Sequence, residues 1–220
     1  MLTPPTEANA PKKSLGDRQQ ILAWLAEQVP APRLQHILRV ETMAAELAVA
    51  HGLDVTQAAW AGLLHDLAKY FPPETLLAMA QEAGLPITEV DVADPHLLHA
   101  EVSALVARQQ FGVTDEQVLA AVANHTLGSA GMDELSCVVF LADSLEPGRG
   151  QTPELEELRR IARTNLQEAV WRVCDRTLAW LMDQHRLIHP RMVLTRNWAM
   201  QVAPPRRKNK LALKTDSSNG

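Results

Sequence analysis

The stretch AGLLHDLAKY, residues 61–70, sets a histidine, an aspartate and a lysine in a run of Leu, Ala and Gly. On a helical wheel at about 100° per residue, Trp60, Leu63, Leu64 and Leu67 form one apolar stripe. His65, Asp66 and Lys69 fall opposite it. A solvated face would account for three polar residues, but the rest of that side is Ala58, Ala59 and Gly62 rather than Glu, Lys and Gln. Small residues admit close neighbours, so the helix reads as covered on both sides. A buried charge without a partner is costly. Adjacent imidazole and carboxylate donors point to a metal ion as that partner.

Further donors then belong on inward faces. His36 shares the apolar face of Val40 and Met43, His99 that of Val102 and Val106, and His125 that of Val118 and Val122. Asp143 follows Val139 by one helical turn in the apolar run CVVFLAD. Singly, each histidine reads as a hydrogen-bonded core residue. An inward aspartate is rarer, because its charge needs compensation. Together with His65 and Asp66 they predict a common centre, since a bundle directs side chains from facing helices at one site. Imidazoles and carboxylates without a thiolate suit Fe, Mn, Co or Zn better than a soft-metal site, or than Ca or Mg alone. Of the remaining histidines, His96 is the rival donor to His99, and His51 reads as exposed near a helix end. His185 and His189 read as the end of a long helix, where imidazolium suits the dipole.

The elements that must position these groups are helices. The chain has 220 residues, 46% of them apolar and only 4% aromatic, and no stretch alternates with period two for long. One all-α domain over residues 14–200 is expected, between a disordered lead at 1–13 and a mobile basic tail at 201–220. Capping boxes at Ser14 and Thr114 predict helices to about Val29 and about Thr126. Others are expected at 33–51, from Asp54 to about Tyr70, at 74–83, 96–111 and 132–145, from Pro153 to about Arg186, and at 191–200. Residues 85–95 read as a loop. A net charge of −5 disfavours non-specific nucleic-acid binding. No signal peptide or membrane-spanning apolar run is visible, and Cys137 and Cys174 form no CxxC and read as buried thiols. A cytoplasmic protein is expected, with the oligomeric state open and a homodimer allowed.

The segments RLQHILRV, AGLLHDLAK, LLHAEVSA, AVANHTLG and LADSLEPGR, in order over about residues 18–200, resemble the YqeK group of HD-domain phosphohydrolases. That resemblance implies an HD-type helical bundle with a two-metal centre, of iron, acting on dinucleoside polyphosphates. Diadenosine tetraphosphate would be cut symmetrically to two ADP, by metal-activated hydroxide attacking an inner phosphorus. Carried over, His36, His65, Asp66 and Asp143 would hold one metal. Asp66 would bridge to a second, held also by His99 and His125. Lys69 and Arg149 would face phosphate oxygens, and Thr126 would lie near the nucleotide. Ala100 stands where the group has Gly. The late segment IHPRMVLTRNW resembles the group's closing motif and receives no role. Two other readings fit less well. One is an HD-type hydrolase of nucleoside mono-, tri- or cyclic phosphates. The other is a non-catalytic nucleotide-binding module, whose mark would be loss of ligands, and none of the six is missing.

Overall fold

The computed structural model describes residues 14–203. The expected lead, and all but the first three residues of the expected tail, lie outside them. Every regular element among the described residues is helical. In chain order these are α1 (Arg18–Gln28), α2 (Ala31–His51), α3 (Val55–Leu64), α4 (Pro73–Glu82) and α5 (Glu89–Ala93). A 3₁₀ turn (Pro95–Leu98) leads into α6 (His99–Phe111), α7 (Glu116–Asn124) and α8 (Glu134–Leu145). A second 3₁₀ turn (Pro147–Arg149) precedes α9 (Pro153–Ala162), α10 (Leu166–Asp183) and α11 (Pro190–Val202). α2 packs on α3 and α8, α7 on α6 and α8, and α10 on α8, α9 and α11, around one shared core. At Gly62 an added Cβ would sit 2.8 Å from the Glu41 Cα, so α3 meets the backbone of α2 there.

Several boundaries differ from expectation, each for a local reason. Asp17 and Asp115, not Ser14 and Thr114, cap α1 and α7; each carboxylate accepts two first-turn amides. Ser14 and Thr114 instead pair with each other: the Ser14 amide donates to Thr114 Oγ1 and the Thr114 amide to the Ser14 carbonyl, both at 2.9 Å. The expected loop at 85–95 contains α5, opened by a capping box between Thr88 and Asp91. The expected long helix from Pro153 is two helices, because Asn165 caps a fresh start at Leu166 by accepting the Glu168 amide. His189 therefore does not end that helix but caps α11, accepting the Arg191 amide on Nδ1. The last helix runs two residues past the expected boundary at 200.

Candidate metal centre

The largest departure lies at the motif itself. α3 stops at Leu64, six residues short of the expected end, and residues 65–70 form consecutive turns. His65 Nδ1 lies 2.7 Å from the Gly62 carbonyl, the acceptor that the Asp66 amide would need to continue the helix. Three-residue bonds replace the ladder, from Lys69 to Asp66 at 3.1 Å and from Phe71 to Ala68 at 3.0 Å, and Ser103 Oγ accepts the Ala68 amide at 2.9 Å. The expected covering on both sides is nevertheless found: residues 61–68 are all buried. The turns carry Asp66 into the interior, where it is 1% exposed.

Four imidazoles surround that carboxylate. His36, His65, His99 and His125 are all buried, at 5%, 0%, 2% and 1% exposure. Each uses Nδ1 outward. His65, His99 and His125 reach the carbonyls of Gly62 (2.7 Å), His96 (2.5 Å) and Val122 (2.8 Å), each three residues back. His36 reaches Glu146 Oε1 at 3.0 Å. Carbonyls and carboxylates only accept, so each Nδ1 carries a hydrogen, and the neutral form of each ring has its lone pair on Nε2. The lone pairs face Asp66. His65 Nε2 and His36 Nε2 lie 3.3 Å and 3.9 Å from Oδ2; His99 Nε2 and His125 Nε2 lie 3.4 Å and 3.7 Å from Oδ1.

Two donor groups result, His36–His65–Asp66 and Asp66–His99–His125, each with its donor atoms within 4.8 Å of one another. Asp143 joins the first, its Oδ1 3.0 Å from His36 Nε2 and 3.8 Å from His65 Nε2. Despite that proximity, His36 Nε2 and His65 Nε2 are buried atoms without a hydrogen-bond partner. In the second group the Nε2 atoms of His99 and His125 stand 3.0 Å apart. Two lone pairs at that distance repel unless a proton or a cation lies between them. The donor set therefore fits metal ions, on this structure's own atoms.

Electrostatics follow the geometry. Burial alone would raise the Asp66 carboxyl, yet with protons on the Nε2 atoms of His65 and His99, in the place metal ions would take, those rings hold it well below the usual carboxylate range, and Asp66 in turn raises His65 against the pull of burial. Asp143 is lowered likewise: burial is outweighed by His36, His65 and Arg149. Burial, with His65 and His99 beside it, pushes His125 well below an ordinary imidazole. Both carboxylates are thus ionised, and His125 is neutral, at pH 7.

Basic side chains rim the same atoms. Lys69 Nζ is 3.3 Å from His99 Nε2. Arg149, expected to face phosphate, grips Asp143 through Oδ1 (2.5 Å) and the carbonyl (2.8 Å), so its fork is engaged with a candidate ligand. Thr126 Oγ1 touches His99 Nε2 at 3.2 Å and His125 Nε2 at 3.0 Å. Arg33, which sequence reasoning missed, places a guanidinium nitrogen 2.9 Å from Asp66 Oδ2. The signal was available, since Arg33 lies one turn before His36 on the same helix. Glu146 was missed too: 1% exposed, it accepts from His36 and from Arg39 Nε at 2.5 Å, and its carboxyl is lowered to about 2 against the pull of burial, chiefly by Arg39 and His36.

The remaining sequence candidates resolve plainly. His96 is exposed and supplies only its carbonyl. His51, expected exposed, is half-buried, with Nε2 2.7 Å from the Ala162 carbonyl. His189 is buried, with Nε2 3.2 Å from Asp91 Oδ2. The closing segment acquires a structural part: Arg191 binds Glu101, the Gly128 carbonyl (2.5 Å) and Asn124 Oδ1 (3.0 Å), and so ties α11 to α6 and α7. Cys137 and Cys174 are buried free thiols, pushed up to about 12 by burial. No helix among the described residues is long and apolar enough to cross a membrane.

Such a fold around such a centre has a match: a profile of the HD domain covers residues 33–148, and the chain belongs to the HD-domain family. HD-domain hydrolases bind divalent metals, in keeping with the two donor groups. The chain is 34% identical, over 182 residues, to the symmetrical bis(5'-nucleosyl)-tetraphosphatase of Bacillus subtilis strain 168, spanning 83% of this chain and 97% of that protein. It is 36% identical over 154 residues to a probable nicotinate-nucleotide adenylyltransferase/Ap4A hydrolase of Mycoplasma genitalium, spanning 68% of this chain and 43% of that protein. A crystal structure from Clostridium acetobutylicum, described as a predicted HD superfamily hydrolase involved in NAD metabolism, matches with a TM-score of 0.80 at 29% identity. That match covers 84% of this chain and 97% of the other.

Proposed function

We propose that this chain is a metal-dependent hydrolase that cuts diadenosine tetraphosphate symmetrically into two ADP. One observation carries the reading: four buried imidazoles all spend Nδ1 outward and turn Nε2 towards the two oxygens of one buried carboxylate. Two ions fit, one at His36, His65, Asp66 and Asp143, the other at Asp66, His99 and His125. Bound there, they supply Lewis acidity towards a phosphoryl oxygen and a water acidic enough to react at neutral pH. Iron is the metal we favour, from the family resemblance; manganese, cobalt and zinc suit the same donors.

The chain's own residues do the rest. Phosphoryl transfer needs in-line placement and charge neutralisation more than covalent help. Lys69 and Arg33 supply that charge around Asp66, and Arg149, whose fork is engaged with Asp143, supplies it from beside that ligand. Thr126 offers a hydroxyl beside the second donor group. The names of the relatives favour a dinucleoside tetraphosphate over other nucleotides.

Metal analysis of natively purified protein, with chromatography of products from a nucleotide panel, tests the proposal. ADP as the sole product of diadenosine tetraphosphate is expected. Nucleoside plus phosphate would assign a different HD-type hydrolysis, and a silent, metal-loaded protein would leave a binding module.

A further inference from the structure

The ion pair behind His36 has a second face. Arg39 turns Nε and Nη2 to Glu146, at 2.5 Å and 3.3 Å, and Glu146 holds His36 Nδ1 at 3.0 Å. The same Arg39 side chain lines a pocket of about 150 Å³ between α2, the 3₁₀ turn after α8, and α9. None of the metal-donor residues lines this pocket. The Arg39 guanidinium lies on the backbone of the turn, where a Cβ added at Gly148 would stand 2.5 Å from Nη2. Arg39 is thus shared between the pocket and the support of one candidate ligand.

The charge of the pocket is lopsided. Arg39, Arg159 and Arg163 line it against a single carboxylate, Glu46. Arg163 Nη2 meets Glu46 Oε2 at 3.2 Å on the exposed rim, where an ion pair is weak. Arg159 is fixed in place: Nε donates to the Leu145 carbonyl (2.7 Å), and Nη2 to the carbonyls of Glu146 (3.2 Å) and Gly150 (2.7 Å). Its carboxylate partner, Glu156, is exposed and does not line the pocket. A space below the about 300–1,000 Å³ of small-molecule sites is too small for a nucleotide. Converging guanidinium groups suit a tetrahedral oxyanion, whose oxygens match their planar forks.

We propose that this pocket is a regulatory site for a free tetrahedral dianion of phosphate size, coupled to the metal centre through Arg39, Glu146 and His36. An anion there competes with Glu146 for the Arg39 guanidinium. Glu146 then holds His36 less firmly, and the first donor group, His36–His65–Asp66 with Asp143, weakens for its metal. Such coupling is reciprocal, so a metal at that group opposes the anion. The inference rests on the metal-dependent hydrolase reading for the ion whose affinity changes; binding of the anion itself does not.

Sulfate is the probe, since phosphate also seeks the metal ions. Calorimetry of the metal-loaded full chain, at ionic strength held constant with chloride, is expected to show saturable sulfate binding that Arg163→Glu loses and Lys69→Ala keeps. Saturating sulfate should lower the affinity for one of the two ions at least about fivefold in wild type, read by competition with a chelator, and change nothing in Arg163→Glu. Thr42→Glu, which sets a carboxylate in the pocket, should weaken the same ion with no sulfate present. No saturable binding, equal binding by Arg163→Glu, or metal affinities unmoved by sulfate overturns the site. Hydrolysis is read separately, without sulfate. ADP as the sole product from a wild type that ignores sulfate keeps the hydrolase and loses the site. Sulfate binding through Arg163 that weakens one ion, in a chain that cuts nothing, does the reverse.

Discussion

The two halves of the centre differ in how one histidine of each is held. His99 and His125 are oriented by their own chain, each donating to a carbonyl three residues back at a helix terminus. Their lone pairs already have neighbours in Lys69 and Thr126. On the other side, His36 is held by Glu146, 110 residues away, and Glu146 is itself held by Arg39 and the Gly148 amide. Its Nε2 and that of His65 have no hydrogen-bond partner. One half is oriented once its helices form; in the other, His65 is likewise set by the Gly62 carbonyl, but His36 waits for α2 and the end of α8 to meet. Asp66 belongs to both, one oxygen to each.

Removing the shared group should have the largest effect. Asp66→Ala is expected to lower hydrolysis by about a thousandfold or more and to deplete both metals. Full activity with full metal content would remove Asp66 from the bridging position. Glu146→Gln should separate the halves, because a partner of a metal-binding histidine is worth about 10–100-fold in metal affinity. Competition with a chelator should show one weakened ion and one unchanged; two ions weakened equally would mean the halves are not independent.

Lys69→Ala probes the other half. A single charged contact to phosphate is worth about 1.5–3 kcal/mol, so KM should rise about tenfold or more while metal content holds. An unchanged KM would make Lys69 a partner of His99 alone. The smallest expected effect is a control away from both halves. Burial opposes ionisation of Asp91, but bonds from Thr88 and His189 hold its carboxyl below the ordinary value. The unfolded chain therefore takes up that proton first. The stabilisation is present above about pH 3.9 and fades as pH falls below it. Asp91→Asn should cost about 1 kcal/mol at pH 7 in urea denaturation, with a gap that closes in acid and no change in bound metal.

Much of this was legible in residue types and spacing. Inward-facing His36, His99, His125 and Asp143 follow from apolar neighbours one turn away, and Gly62 with Ala58 foretold close covering of α3. Helix ends were harder. Asp17 and Asp115 won over Ser14 and Thr114 because a cap is settled by which side chain reaches the free amides, and two neighbouring candidates share the same pattern. The stop at Leu64 was invisible, since His65 spends its Nδ1 on a carbonyl the helix would have used, and periodicity does not record that choice. Glu146 is not legible because its partners His36 and Arg39 are distant along the chain, whereas Arg33 shares the His36 side of α2 one turn earlier.

Local chemistry alone determined an all-helical chain with imidazoles and carboxylates on its buried faces, because apolar spacing and cap residues act over a turn or two. Only the tertiary structure decided that Asp66 divides its oxygens between two pairs of histidines, that Arg149 grips Asp143, and that Arg39 joins Glu146 to a pocket lined by arginines. Those facts depend on where separate helices end and meet, and contacts between residues a hundred positions apart are made by packing, not by pattern.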